Sequence, residues 1–252
     1  MEKLRDMILM NFTGTYKEQK FYEGENVSWV DVQELSGCNC YCDDEAKETL
    51  ENLIREFPAE GIHFLDSGNY HYVSLLWLQK IQEPFCLVLF DNHTDMQPPA
   101  FGGLLSCGGW VAEAIEEIPL LREVILAGPD QDAFDQTDPM LRKKVRFLSR
   151  EKIKTAKKEG TDFFRNLPKD IPVYISVDKD VLCPEDASTS WSQGDMRIDE
   201  LEGYLREIFD GRGVLGMDVC GECDSLDDCS KNETGNRMLK NIWKEWRDSH
   251  EK

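Results

Sequence analysis

No stretch of this 252-residue chain is apolar for long enough to cross a membrane. The first residues, Met1-Glu2-Lys3-Leu4-Arg5-Asp6, lack the pattern of a secretory signal, so a cytoplasmic location is expected. Basic residues are few. Against 49 Asp and Glu stand 29 Lys and Arg, a net charge of −20, which argues against binding nucleic acid or an anionic membrane, since both demand basic surface. Internal repeats and low-complexity linkers are also absent, and nothing argues for a second domain; residues 1–252 are expected to form one unit with a full α/β core. Cysteine is not scarce, but its pattern argues against a disulfide framework. Nine is an odd number, and with no signal peptide it points to reduced thiols. Cys38, Cys40 and Cys42 alternate, yet no second cluster with zinc spacing accompanies them unless Cys223 and Cys229 fold over to them.

What is present is concentrated in two places. The apolar run Phe85-Cys86-Leu87-Val88-Leu89-Phe90 has the unbroken character of a buried parallel strand and ends in Asp91-Asn92-His93-Thr94-Asp95. Alternate residues of an extended chain point the same way, so Asp91, His93 and Asp95 can converge. A second strand, Ile175-Ser176-Val177, ends in Asp178-Lys179-Asp180 with the same alternation. Either cluster alone reads equally well as helix caps or loop-solvating acids. Together they supply four carboxylates and one imidazole, which would repel one another in a pocket unless a cation joined them. One ion needs three or four of these groups, and a larger oxygen-rich set suits two neighbouring ions. Hard oxygens with some imidazole favour Mn²⁺ over a thiolate-loving metal, with Zn²⁺, Fe²⁺ and Co²⁺ left open. An acidic surface also draws cations, in keeping with a small cationic ligand.

These segments carry a family resemblance. Asp91-Asn92-His93-Thr94-Asp95 resembles the Asp-Ala-His-Thr-Asp signature of the ureohydrolases, the arginase and agmatinase family. Asp178-Lys179-Asp180-Val181-Leu182-Cys183-Pro184 is similar to that family's Asp-x-Asp-x-Leu-Asp-Pro segment, with Cys183 in place of the last aspartate. Upstream, Asp66-Ser67-Gly68-Asn69-Tyr70-His71 resembles its Gly-Gly-Asp-His turn, which makes His71 a sixth ligand. Gly213 to Val219 resembles the last core strand, and Asn232-Glu233-Thr234 the start of the terminal helix.

The resemblance implies an arginase-like three-layer α/β sandwich with a mostly parallel central sheet, and a homo-oligomer. It implies two divalent ions bridged by Asp91 and Asp178, with His71 and Asp95 completing one site and His93 and Asp180 the other. A hydroxide bridging the ions, oriented by Asp95, then attacks a guanidino, amidino or formimino carbon and breaks a linear C–N bond. Two departures stand against full carry-over. Where the family has a proton-shuttling histidine, this chain has Ser106-Cys107-Gly108-Gly109, and the glutamate that receives a guanidinium comes one position late, as Glu222. Lys179, between two ligands, needs an acidic partner if it is buried. An alternative follows: a homologue that keeps its metals without turnover and acts as a regulatory or interaction protein.

Periodicity places strands at 7–12, 27–32, 61–65, 85–90, 124–127, 145–148, 172–177 and 214–217. Helices are predicted from Asp43 to Pro58, with Leu50, Leu53, Ile54 and Phe57 on one face, and over 73–81, 110–118, 151–166, 198–209 and 233–247. The segment from Asp130 to Pro139 reads as a connection. His63 and His250 carry no functional expectation.

Overall fold

The computed structural model describes residues 7–98, 102–160, 163–167, 169–223 and 230–250. In chain order the elements are β1 (Met7–Asn11), β2 (Val27–Asp31), β3 (Tyr41–Cys42), α1 (Asp44–Ile54), β4 (Ile62–Phe64), α2 (Val73–Leu78), β5 (Phe85–Phe90), β6 (Leu105–Ser106) and α3 (Trp110–Glu117). They continue with β7 (Leu121–Ala127), α4 (Gln131–Asp135), α5 (Pro139–Arg142), β8 (Val145–Leu148), α6 (Arg150–Glu159), β9 (Val173–Asp178), α7 (Ile198–Phe209), β10 (Val214–Cys220) and α8 (Ser230–His250).

Eight strands form one sheet in the order β2-β1-β4-β10-β9-β5-β7-β8, and every pairing in it is parallel. The apolar runs explain why the sheet is covered on both faces. Leu87 and Leu89 of β5 enter one core with α1, α2 and α3 through Leu50, Leu75 and Trp110. Their neighbours Val88 and Phe90 enter the other, against Leu205 of α7 and Trp243 of α8. Helix, sheet and helix are thus the three layers expected of an arginase-like α/β chain. Among the described residues no helix is long and apolar enough to cross a membrane.

Several local expectations need correction. In α1, capped by the Asp43 carboxylate accepting from Ala46 N–H, the buried stripe is Ala46, Leu50 and Ile54, a four-residue step. Leu53 falls off its edge and is 43% exposed. Helix α6 stops at Glu159 because Gly160 takes a left-handed backbone, φ 64°, which terminates helices readily. The segment after Asp130 is not a bare connection: Asp138 accepts from Met140 N–H at 2.6 Å and Pro139 starts α5. The small ladder of β3 with β6 was not legible as strands, being two residues long. Cys38 and Cys42 are buried, and Cys40 between them is not. Met1–Asp6 and Cys229 lie outside the described residues.

Candidate metal centre

The sheet order sets β9 between β5 and β10, with β4 beyond β10, so the carboxyl ends of β4, β9 and β5 open onto one crevice. His71 reaches it through a tightly held turn. The Asp66 carboxylate, with φ 71°, accepts from Phe12 N–H, Thr13 N–H, the Thr13 hydroxyl and Ser67 N–H, which ties the end of β4 to the end of β1. Phe12 stacks on Tyr70 with centroids 3.9 Å apart. A 3-10 turn at Gly68–Tyr70 follows and delivers His71, which is buried.

All six side chains named from the sequence meet here. His71 Nδ1 lies 3.3 Å from Asp91 Oδ2, 3.1 Å from Asp95 Oδ2 and 3.5 Å from Asp178 Oδ2. His93 Nδ1 lies 3.5 Å from Asp91 Oδ1 and 2.8 Å from Asp180 Oδ2. Asp91 therefore turns one oxygen to each imidazole. The backbone holds the aspartates in these poses: Asp91 Oδ1 accepts from His93 N–H, Asp178 Oδ1 from Asp180 N–H, and Asp180 Oδ1 from Asn92 N–H. The second oxygens of Asp91 and Asp180 face the imidazoles, and that of Asp178 faces His71 and also accepts from the Cys220 thiol at 3.2 Å.

A cation fits this donor set. Asp91 Oδ2 is buried and accepts no hydrogen bond from the described residues. Without a cation, burial followed by repulsion from Asp180 and Asp91 pushes Asp178 up to about 7, and burial with Asp91 pushes Asp180 up to about 6. Among the three trios whose ligand atoms lie within 4.8 Å of one another in the described residues, two are His71 with Asp91 and Asp95, and Asp91 with His93 and Asp180. They share Asp91, as two adjacent ions would require.

Residues that sequence reasoning passed over orient these groups. Ser176 Oγ lies 3.0 Å from His71 Nε2 and donates to Asp218 Oδ1 at 2.6 Å, so the ring is held with Nδ1 inward. Trp110 Nε1 donates to Asp95 Oδ2 at 2.7 Å. The Ser192 hydroxyl lies 2.9 Å from His93 Nε2. Ser176 did carry a signal, since it stands two positions before Asp178 in the same alternation. Trp110 and Ser192 carried none, because nothing local ties them to Asp95 or His93.

Glu222 is placed elsewhere. It is fully buried, and its Oε1 accepts from Lys179 and Asn236, its Oε2 from Gln19 and Asn232. A carboxylate has about four acceptor positions, so no oxygen is left for a guanidinium. The expected acidic partner of buried Lys179 is thus Glu222 itself. His63, stacked on Trp77 at 3.8 Å and 3.0 Å from the Tyr174 hydroxyl, and His250, at the end of α8, stand outside the cluster.

The cluster floors a cavity of about 220 Å³ whose wall includes Cys40, Tyr41, Gln97, Cys107 and Trp191 but no Lys or Arg among the described residues. Glu222 is not part of that wall. Burial, then the Asp95 carboxylate, pushes the Cys107 thiol up to about 12. Past His93 and Gln97 a broader groove of about 1140 Å³ is bounded by Asp130, Asp132 and Glu151, with Lys152 its one cation among the described residues.

Comparison with known proteins fits this geometry. The family model described as Arginase family matches residues 4–244. An uncharacterized protein of Thermotoga maritima is 29% identical over 225 residues, 87% of this chain and 80% of that one. The proclavaminate amidino hydrolase of Streptomyces clavuligerus has a similar structure, with TM-score 0.71 and 19% identity over 96% of this chain and 92% of that one. The formiminoglutamase of Trypanosoma cruzi, solved with Mn²⁺, gives TM-score 0.72 and 12% identity over 96% and 94%. At such identities the likeness of structures shows the fold.

Proposed function

The chain belongs to the arginase family, and from that membership we propose that it is a binuclear-metal hydrolase of a linear C–N bond in a small guanidino, amidino or formimino compound. The observation that carries the reading is the pair of ligand trios joined through Asp91, one on each side of a single buried carboxylate. His71, Asp91, Asp95 and Asp178 would hold one ion, and Asp91, His93, Asp178 and Asp180 the other. When bound, a pair of divalent ions, Mn²⁺ by the hardness of these oxygens, neutralises the carboxylates and acidifies a shared water.

The protein's own groups do the rest. Ser176 and Asp218 keep His71 Nδ1 directed inward. Asp95, held by Trp110, would take a proton from the attacking water and pass it to the departing amine. A cavity of about 220 Å³ admits a small substrate, and a wall with no Lys or Arg among the described residues, beside an acid-lined groove, favours a cationic one. The Cys107 thiol lies in the segment Ser106–Gly109 where the family has its shuttle histidine, but burial pushes it up to about 12, which suits a packed thiol better than a proton carrier. Glu222 is assigned to Lys179.

That same missing histidine, together with the committed Glu222, supports a second reading: a metal-binding homologue without turnover, acting through a partner protein. Metal analysis followed by a screen for urea or ammonia release from guanidino and formimino compounds with Mn²⁺ separates the two. Two ions per chain with release supports the hydrolase. Two ions with no release across the panel leaves the binding protein, and fewer than two ions removes both.

A further inference from the structure

The register of β9 with β10 pairs Cys220 with Asp178, so a thiol stands beside a proposed metal ligand on the neighbouring strand. Cys220 is fully buried, and its Sγ lies 3.2 Å from Asp178 Oδ2, the same oxygen that lies 3.5 Å from His71 Nδ1. One ligand atom from each of His71, Asp178 and Cys220 lies within 4.8 Å of the others. Ions bound at about 2.3 Å from sulfur and about 2.0–2.2 Å from nitrogen or oxygen keep their ligands roughly 3–4 Å apart. The observed separations of 3.2 and 3.5 Å are those of co-ligands.

The position follows from the chain's periodicity. Asp218, two residues earlier on β10, accepts from the Ser176 hydroxyl that holds His71, so Cys220 continues the same face toward the same imidazole. Immediately afterwards the chain leaves: Gly221 has φ 87°, and a Cβ there would sit 2.3 Å from Asp178 Oδ1. That turn sends Glu222 to Lys179 and leaves Cys220 as the last side chain of β10 at the cluster.

From this geometry we infer that Cys220 is a thiolate ligand of the deeper metal subsite, with His71 and Asp178. This subsite then selects a borderline-soft ion such as Zn²⁺, Fe²⁺ or Co²⁺. The subsite of Asp91, His93 and Asp180, whose His93 side chain is 32% exposed, keeps the Mn²⁺ preference of hard donors. The Cys220 thiol donates to Asp178, and binding as a thiolate would release that proton to solvent. The inference rests on the binuclear reading and refines it, making the two subsites unequal.

The test loads the full chain with Co²⁺ and records thiolate-to-cobalt charge-transfer absorption in the near ultraviolet. The parent shows the band, Cys220→Ser loses it, and Cys40→Ser and Cys107→Ser, which alter the two thiols of the cavity wall, retain it. In dialysis against equal Zn²⁺ and Mn²⁺, Cys220→Ser lowers the ratio of bound Zn²⁺ to Mn²⁺ by at least the roughly tenfold that loss of even an outer-shell partner produces. If Cys220→Ser does not fold, X-ray absorption of the Cys40→Ser, Cys107→Ser double variant decides, a sulfur neighbour at about 2.3 Å supporting the assignment and its absence overturning it. Two cobalt ions per chain with no band, or a band that survives Cys220→Ser, overturns the thiolate ligand and leaves the binuclear site standing. Failure to bind two ions overturns both.

Discussion

Replacing Glu222 by Gln strips the charge from the partner of Lys179, whose side chain is 1% exposed beside a carboxylate that is 0% exposed. Leaving one charge of a buried pair uncompensated costs about 3–5 kcal/mol. Lys179 keeps the Asn236 amide oxygen at 3.0 Å and at best a neutral amide oxygen at position 222, while the new NH2 group faces amide donors of Gln19, Asn232 or Asn236, so the loss belongs within that range. For a chain of this size each kcal/mol moves the melting point by about 2–4 °C, so Glu222→Gln should melt roughly 6–20 °C below the parent. Lys179→Met should be destabilised as well, and the double variant, with neither charge buried, should recover more than half of the summed loss. Near-ultraviolet circular dichroism at one fixed metal concentration reads all three, because bound metal itself raises the melting point. A Glu222→Gln protein melting within about 2 °C of the parent, or a double variant whose losses simply add, refutes the counter-ion assignment. Lost turnover with an unchanged melting point would return Glu222 to the substrate.

Three further outcomes are expected. Asp91→Ala should lose most of the bound metal, since Asp91 faces both imidazoles, and full occupancy by elemental analysis would remove its bridging role. Ser176→Ala should weaken metal binding by roughly 10–100-fold in calorimetry, because the His71 ring loses the hydroxyl at 3.0 Å that fixes it; unchanged affinity would show that the ring needs no such support. Chelator-treated protein should melt at progressively lower temperature as pH rises. Burial and then repulsion between the carboxylates push Asp178 and Asp180 well above the ordinary carboxylate range, so the folded state holds more protons above about pH 4 and its stability falls with rising pH. Burial opposes the charge on His93, but hydrogen bonds to Asp180 and Asp91 hold it to about 11, which extends the decline in the same direction. Melting points that rise between about pH 5 and about pH 8 would contradict this sign.

Much of the candidate site was legible because its logic is local. Side chains of an extended strand alternate whatever the rest of the chain does, so Asp91, His93 and Asp95 on one strand end and Asp178 and Asp180 on another announce a shared target. The long apolar runs before them, buried on both faces, likewise required a parallel sheet between two layers of helices. Element ends were less legible, as Leu53 shows: its place on or off the buried stripe depends on how α1 lies against the sheet.

Partnerships between distant segments were decided only by the tertiary structure. Nothing near Glu222 in the chain says that its four acceptor positions are taken by Lys179, Asn236, Gln19 and Asn232, donors 10 to 203 residues away. The approach of Cys220 to Asp178 and the support of His71 by Ser176 and Asp218 depend on β4, β10, β9 and β5 lying side by side, an order unlike their order in the chain. Alternation along a strand is a property of the backbone. Which strand lies next to which follows from how all the apolar faces are buried at once, and only that packing brings a thiol, a serine or a glutamate within a few ångströms of its partner.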